Sequence, residues 1–201
     1  MAARTTGALL MARSRDAHIC ARCAAHSGTC CRMQPGNEEL CFPLSRSEWQ
    51  RIVEHCNDKG GFASQPNTKP FLQCMKRLFP ADEKRLEAIF PPHGEHLRLA
   101  SDNEGRCLFL SAAGCTLPRE TRPWYCRLFP FWFMPNGMLT MFTPDECLVY
   151  LESRSVRDAM QELGVTENEL RLMFGRLRLA WGLDPEHDED GNRYPLCDHT
   201  R

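Results

Sequence analysis

Four cysteines within one short run, Cys20-Ala-Arg-Cys23-Ala-Ala-His-Ser-Gly-Thr-Cys30-Cys31, restrict what this chain can fold into more than any other stretch. Packing does not account for such a density of thiols, whereas a metal does. A C-x-x-C pair brings two thiolates from one tight turn to the same ion, at about 2.3 Å for zinc. The same local pairing serves cysteine-ligated iron–sulfur centres. Cys30 and Cys31 supply a second pair. Adjacent side chains diverge, to opposite faces of a strand or by about 100° around a helix. The two together therefore chelate one ion poorly, and one of them is expected to reach a second metal or another corner of a cluster.

Four more thiols lie far downstream: Cys107 and Cys115 in Cys107-Leu-Phe-Leu-Ser-Ala-Ala-Gly-Cys115, Cys126 in Arg122-Pro-Trp-Tyr-Cys126-Arg-Leu-Phe-Pro130, and then Cys147. In this combination the sequence resembles the YkgJ-type cysteine-cluster family, described as zinc- or iron-chelating domains. The likeness covers about residues 18 to 150. It rests on the Cys20, Cys23, Cys30 and Cys31 run, the Cys107-Leu-Phe-Leu segment, Cys115, and the Arg-Pro-x-x-Cys-Arg-x-Phe-Pro stretch from Arg122 to Pro130. Larger relatives with this cysteine pattern resemble flagellin lysine methylases, which would imply S-adenosylmethionine and a protein lysine substrate.

Length and composition set the remaining limits. A chain of 201 residues, 42% hydrophobic and 25% charged, suits one ordinary globular domain. Its net charge of −1 gives no overall electrostatic footprint for nucleic acid or an anionic membrane, though it leaves room for a local basic patch. No apolar stretch approaches the roughly 20 residues of a membrane span. The Gly7 to Ala12 run is too short for a signal peptide and is followed by Arg13, Ser14, Arg15 and Asp16. A reducing cytoplasm is the expected compartment, where clustered cysteines act as ligands rather than as disulfides.

The expected organisation is a loose arm over 1–17, a cysteine-cluster domain over 18–150, C-terminal helices over 151–183 packed on it, and an acidic tail over 184–201. Ser45-Arg-Ser-Glu48 and Thr166-Glu-Asn-Glu169 fit capping boxes, each opening a helix. The first should run from about Arg46 to Asn57 and stop at Gly60-Gly61. The second should carry Leu170, Met173, Phe174, Leu177 and Trp181 on one face. Helical faces also recur around Phe71 to Phe79, Asp82 to Phe90 and Ser155 to Leu163, while 62–70 reads as a loop. Leu97–Ala100 and Arg106–Leu110 read as the two strands of a hairpin, and Met138–Phe142 as a further strand. The fold class is therefore α+β: a mainly helical single domain with a small β-hairpin region, organised around a cysteine-ligated metal centre.

The first functional reading is a metal-binding protein in which Cys20, Cys23, Cys30, Cys31, Cys107, Cys115, Cys126 and Cys147 hold Zn2+, iron or an iron–sulfur cluster. All-thiolate ligation suits both zinc and iron. The alternatives are a methylase-like enzyme that uses S-adenosylmethionine and an iron–sulfur electron-transfer protein. A protein partner is compatible with all three. Against the enzyme, no glycine-rich cofactor loop follows a strand, and no Ser/His/Asp set or paired carboxylates present themselves.

The single cysteines Cys41, Cys56 and Cys74 read as small hydrophobes, and His93 and His96 as surface histidines. The aromatic and arginine-rich stretch from Arg122 to Phe133 reads as an apolar wall around the metal rather than as a nucleic-acid stacking platform. Arg119, Arg122 and Arg127 would balance the −2 left by four thiolates on a divalent ion. The run Glu186, Asp188, Asp190, Gly191, Asn192 begins like a calcium loop, but it has Glu at the first position and Cys197 at the twelfth.

Overall fold

Two helices start on reciprocal side-chain caps. The Glu48 amide donates to the Ser45 hydroxyl oxygen at 3.3 Å while the Ser45 amide donates to the Glu48 carboxylate at 2.9 Å, opening α2 (Arg46–Cys56). Thr166 and Glu169 repeat the exchange at 3.3 and 2.7 Å, opening α8 (Glu167–Ala180). Helix α2 ends on Asn57, in the left-handed conformation at φ 50°, a few residues before the Gly60-Gly61 pair expected to stop it. Asn adopts that conformation more readily than most residues and so can cap a helix by itself.

The computed structural model describes residues 15–24, 30–34, 36–37, 41–57, 60–144 and 147–184. They form a mixed α+β fold of eight α-helices and three two-stranded antiparallel sheets. Helix α1 (Arg15–Ala24) starts inside the stretch expected to be a loose arm and carries Cys20 and Cys23. Those two residues therefore belong to a helix and not to a tight turn. Most of the arm and nearly all of the acidic tail, with its calcium-loop-like run, lie outside the described residues.

Strand β1 (Phe62–Pro66) occupies part of the expected loop and leads through the Thr68 cap into α3 (Lys69–Leu78). A 3-10 turn over Pro80–Asp82 joins α3 to α4 (Glu83–Ile89), and β2 (Glu95–Leu99) follows. Strand β2 pairs along its length with β1, from Phe62 opposite Leu99 to Pro66 opposite Glu95. The expected hairpin between 97–100 and 106–110 is reduced to a bridge between Ser101 and Cys107. Pro66 sits at the end of its two-stranded ladder, where a missing amide does little harm.

Beyond these lie the tight hairpin β3 (Leu110–Ser111) and β4 (Gly114–Cys115), the short helix α5 (Trp124–Leu128), and the pair β5 (Phe131–Phe133) and β6 (Leu139–Met141). Helices α6 (Leu148–Glu152), α7 (Val156–Leu163) and α8 complete the order. Among the described residues no helix is long and apolar enough to cross a membrane.

The core gathers around Trp132 on β5. Its ring centroid lies 5.3 Å from Phe79, 4.9 Å from Phe174 and 5.8 Å from Phe142, and its indole N–H donates to the Leu78 carbonyl at 3.2 Å. The expected stripe on α8 packs against this centre, with Leu170, Met173, Phe174 and Leu177 all buried. Gly175 interrupts that helix, and a Cβ built on it meets no atom within 4 Å. Gly costs a helix interior about 1 kcal/mol relative to Ala. Gly175→Ala is thus expected to stabilise the protein by about 0.5–1 kcal/mol, read from the denaturant midpoint at unchanged slope; a loss of stability would mean that the helix face is closed there.

Candidate metal centre

The two cysteine groups meet through backbone hydrogen bonds. The Cys107 amide donates to the Cys31 carbonyl at 2.8 Å and the Met33 amide to the Gly105 carbonyl at 2.8 Å, with Arg32 bridged antiparallel to Arg106. This miniature ladder lays the Cys30-Cys31 segment along the one that carries Cys107. The β3–β4 hairpin then returns the chain through Gly114, at φ 100°, so that Cys115 stands opposite Leu110.

Three sulfurs accept backbone amides. Phe109 donates to Cys107, Leu117 to Cys115, and both Leu148 and Cys30 to Cys23. An amide two residues beyond each hairpin cysteine thus points at its sulfur, a contact that strengthens when the sulfur is a thiolate. The Leu148 amide also ties α1 to α6, and the Arg22–Glu152 ion pair links the same two helices.

Cys126 is positioned from a different direction. The same Glu48 carboxylate that caps α2 accepts the Trp124 amide at 2.7 Å, fixing the start of α5. The ring of the preceding residue, Tyr125, lies flat on Phe42 at 4.3 Å, while Cys126 itself opens onto solvent. From that position Cys126 lies within electrostatic reach of Cys31, Cys107 and Cys115, while Cys23 lies within reach of Cys31 and Cys147. The fold thus gathers Cys23, Cys30, Cys31, Cys107, Cys115, Cys126 and Cys147 into one neighbourhood. Cys20 lies on α1, but its side chain falls outside the described part of the structure.

The Sγ atoms of Cys30 and Cys31 are 4.0 Å apart. Two ligands of one tetrahedral ion at about 2.3 Å stand about 3.8 Å apart, so these neighbours have the spacing of ligands to one ion despite the divergence expected of adjacent residues. Among the described residues, no three His, Cys, Asp or Glu side chains are grouped closely enough to hold one metal ion. The thiols are neighbours at electrostatic range, which is longer than ligation range.

Electrostatics separate these thiols. The hydrogen bond between Cys30 and Cys31 pushes the Cys30 thiol well up and draws Cys31 down; burial opposes the latter, and the Arg122 cation supports it. Burial raises Cys23 and Cys115, and it pushes Cys107 up to about 12. Burial and then the neighbouring thiols raise Cys126 as well, although both Cys126 and Cys30 open onto solvent, which discounts the burial penalty for each. Without a cation among them most of these sulfurs hold their protons, and a bound dication inverts that balance. Soft thiolate donors suit zinc and iron–sulfur centres.

The arginines expected to balance thiolate charge divide. Arg122 donates to the Leu117 carbonyl at 2.9 Å, hydrogen-bonds Cys115 and lies in the field of Cys31. Arg127 instead lies among Arg119, Arg51 and Arg176.

Cys41, read from the sequence as a small hydrophobe, is half-buried and within reach of Cys107. Nothing in its sequence surroundings distinguishes it from Cys56 or Cys74. His96 is not a surface residue: it is buried against Phe71, with ring centroids 3.9 Å apart, and its Nδ1 meets Asn67 Oδ1 at 2.8 Å. A cavity of about 410 Å³ opens beside Cys107, between Ala24, Arg106 and Leu110.

Fold and site together define a small α+β protein whose thiols converge where a terminal helix, a hairpin and a short buried helix meet. Compared with known proteins, the chain matches no family model, no curated protein and no solved structure.

Proposed function

We propose that this chain is a thiolate-ligated metal protein of the YkgJ type, holding zinc, iron or an iron–sulfur cluster through Cys20, Cys23, Cys30, Cys31, Cys107, Cys115, Cys126 and Cys147. The observation that carries the reading is the convergence of seven of these thiols from four separate segments, three of them accepting backbone amides. A neutral thiol is buried at little cost, but several thiolates held together need a cation to compensate their charge, and a soft dication supplies it.

In this reading the backbone amides of Phe109, Leu117 and Leu148 orient the sulfurs and stabilise their ionised form. Arg122 offsets negative charge beside Cys31 and Cys115. When bound, the metal would supply cross-linking between distant segments or, as a cluster, a one-electron redox couple.

Anaerobic purification followed by metal and sulfide analysis and a visible spectrum tests the proposal. Iron with sulfide and a broad band near about 400 nm that bleaches on reduction marks a cluster and the electron-transfer form of the reading. A colourless protein with one or two zinc ions marks a structural or adaptor role. Cys107→Ser with Cys115→Ser is expected to remove most of the metal in either case. A protein purified without bound metal, and unable to take it up on reconstitution, overturns the proposal.

A further inference from the structure

Trp124 is crowded by cations. The guanidinium carbons of Arg127, Arg51 and Arg176 lie 4.6, 4.8 and 5.6 Å from the centre of its ring, brought there by α5, α2 and α8 respectively. Arg119 adds a fourth positive charge felt at Arg127. An indole face attracts a cation, but it carries no net charge, and three guanidiniums around one ring repel each other.

The carboxylates nearby do not resolve this. Glu48 is buried and its charge is felt at Arg51, but its oxygens are taken by the Ser45 amide, the Ser45 hydroxyl and the Trp124 amide, and it offsets at most one of the cations. Glu120 is felt at Arg127 less strongly than the neighbouring arginines are, and Glu169 lies toward Arg119. Among the described residues neither Arg127 nor Arg176 has an ion pair, and the Arg127 Nε is buried without a hydrogen-bond partner. Arg51 spends its Nε and one terminal nitrogen on the Thr121 and Arg122 carbonyls, at 3.4 and 3.0 Å, which fixes its head beside the ring.

We infer that Arg51, Arg127 and Arg176, gathered on Trp124, form a binding site for a small phosphate-bearing anion. Guanidinium forks match phosphate oxygens in pairs. A phosphate dianion offers tetrahedrally arranged oxygens to donors arriving from three elements and carries enough charge to offset their repulsion. A lone carboxylate is planar and singly charged, so it would leave most of that repulsion in place. This site is separate from the thiol centre: the next residue along α5, about 100° around the helix from Cys126, turns Arg127 toward α2 and α8.

The test is a titration of the purified full chain with inorganic phosphate, followed by 31P NMR line broadening and by the thermal midpoint, against sodium chloride at matched ionic strength. Saturable broadening and a midpoint that climbs with phosphate but not with chloride are expected. Arg127→Gln and Arg176→Gln, made singly, should each weaken phosphate binding at least tenfold. Their midpoints without phosphate should stay level or rise, because repulsion is relieved. Arg157→Gln, an exposed change on another helix, should bind as the parent does. A phosphate ester and a short single-stranded oligonucleotide, titrated in parallel, separate a small-anion site from a nucleic-acid one: tighter binding of the oligonucleotide overturns the small-anion assignment. A response shared equally with chloride, or unchanged in both arginine variants, overturns the site itself. Should one variant fail to fold, the other decides.

Discussion

Gly105→Ala is expected to cost about 3 kcal/mol or more of folding stability and to separate the two cysteine groups. Gly105 is buried at φ 77°, and a Cβ placed on it would fall 1.6 Å from the Met33 carbonyl oxygen. Left-handed backbone costs a non-glycine residue about 1–2 kcal/mol. Here the contact is with backbone, which has no rotamer to escape through, so the 31–33 and 105–107 segments must move apart. That movement breaks the Met33–Gly105 and Cys107–Cys31 hydrogen bonds, worth about 1 kcal/mol each. Gly36→Ala is the internal control. Gly36 lies at φ 92° with nothing within 4 Å of an added Cβ, so only the conformational cost applies there. Denaturant unfolding of both variants, with metal content measured alongside, separates the two effects. Equal losses in the two would mean that the ladder between Cys31 and Cys107 is not what joins the cysteine groups.

That ladder also shows where sequence reasoning stops. Helix starts were legible because a cap is chemistry within one turn: Ser45 with Glu48, and Thr166 with Glu169, need no distant partner. The pairing of 62–66 with 95–99 was not legible. Phe62-Ala-Ser-Gln-Pro66 has no apolar alternation, and its partner strand turns His96 and Arg98 inward. Both polar side chains are accommodated by tertiary contacts: the Phe71 ring and Asn67 for His96, and Gln65, the Leu99 carbonyl and Ser101 for Arg98. Patterning reads burial as apolar, so it gives no sign that the strand expected at 97–100 turns a polar face inward onto 62–66, with the His96 Nε2 left buried without a partner.

The candidate centre was legible in its ingredients and not in its geometry. Clustered C-x-x-C and C-C spacings mark thiols that belong together, yet spacing does not distinguish the helix that carries Cys20 and Cys23 from a turn. The nearness of Cys41 to Cys107 was not legible, because one isolated cysteine looks the same in sequence wherever the fold carries it. The arginine cluster on Trp124 was out of reach for a different reason. Its members come from α2, α5 and α8, and only tertiary folding brings them to one ring.

Asp82→Ala is expected to cost about 3–5 kcal/mol, more than most single substitutions. Asp82 ends the 3-10 turn between α3 and α4, and Arg178 lies in the last turn of α8; both are buried. One Arg178 terminal nitrogen donates to Asp82 at 2.9 Å, its Nε donates to the Asp184 carbonyl at 2.7 Å, and its head lies over Phe79. The pair therefore clamps the C-terminal helix onto the α3–α4 corner. Removing the carboxylate leaves a guanidinium that cannot shed its proton enclosed by protein, so the loss comprises the desolvation of an unpaired charge as well as the lost contact. Two consequences separate this account from a surface ion pair. The cost should change little with added salt, because screening acts weakly on a buried pair. Asp82→Leu combined with Arg178→Met should recover most of the stability that Asp82→Ala loses, since an apolar pair of similar volume carries no desolvation penalty. Denaturant unfolding of the single and double variants at low and high salt measures both. A single-variant cost below about 1 kcal/mol, or one that salt abolishes, would show that water reaches the clamp.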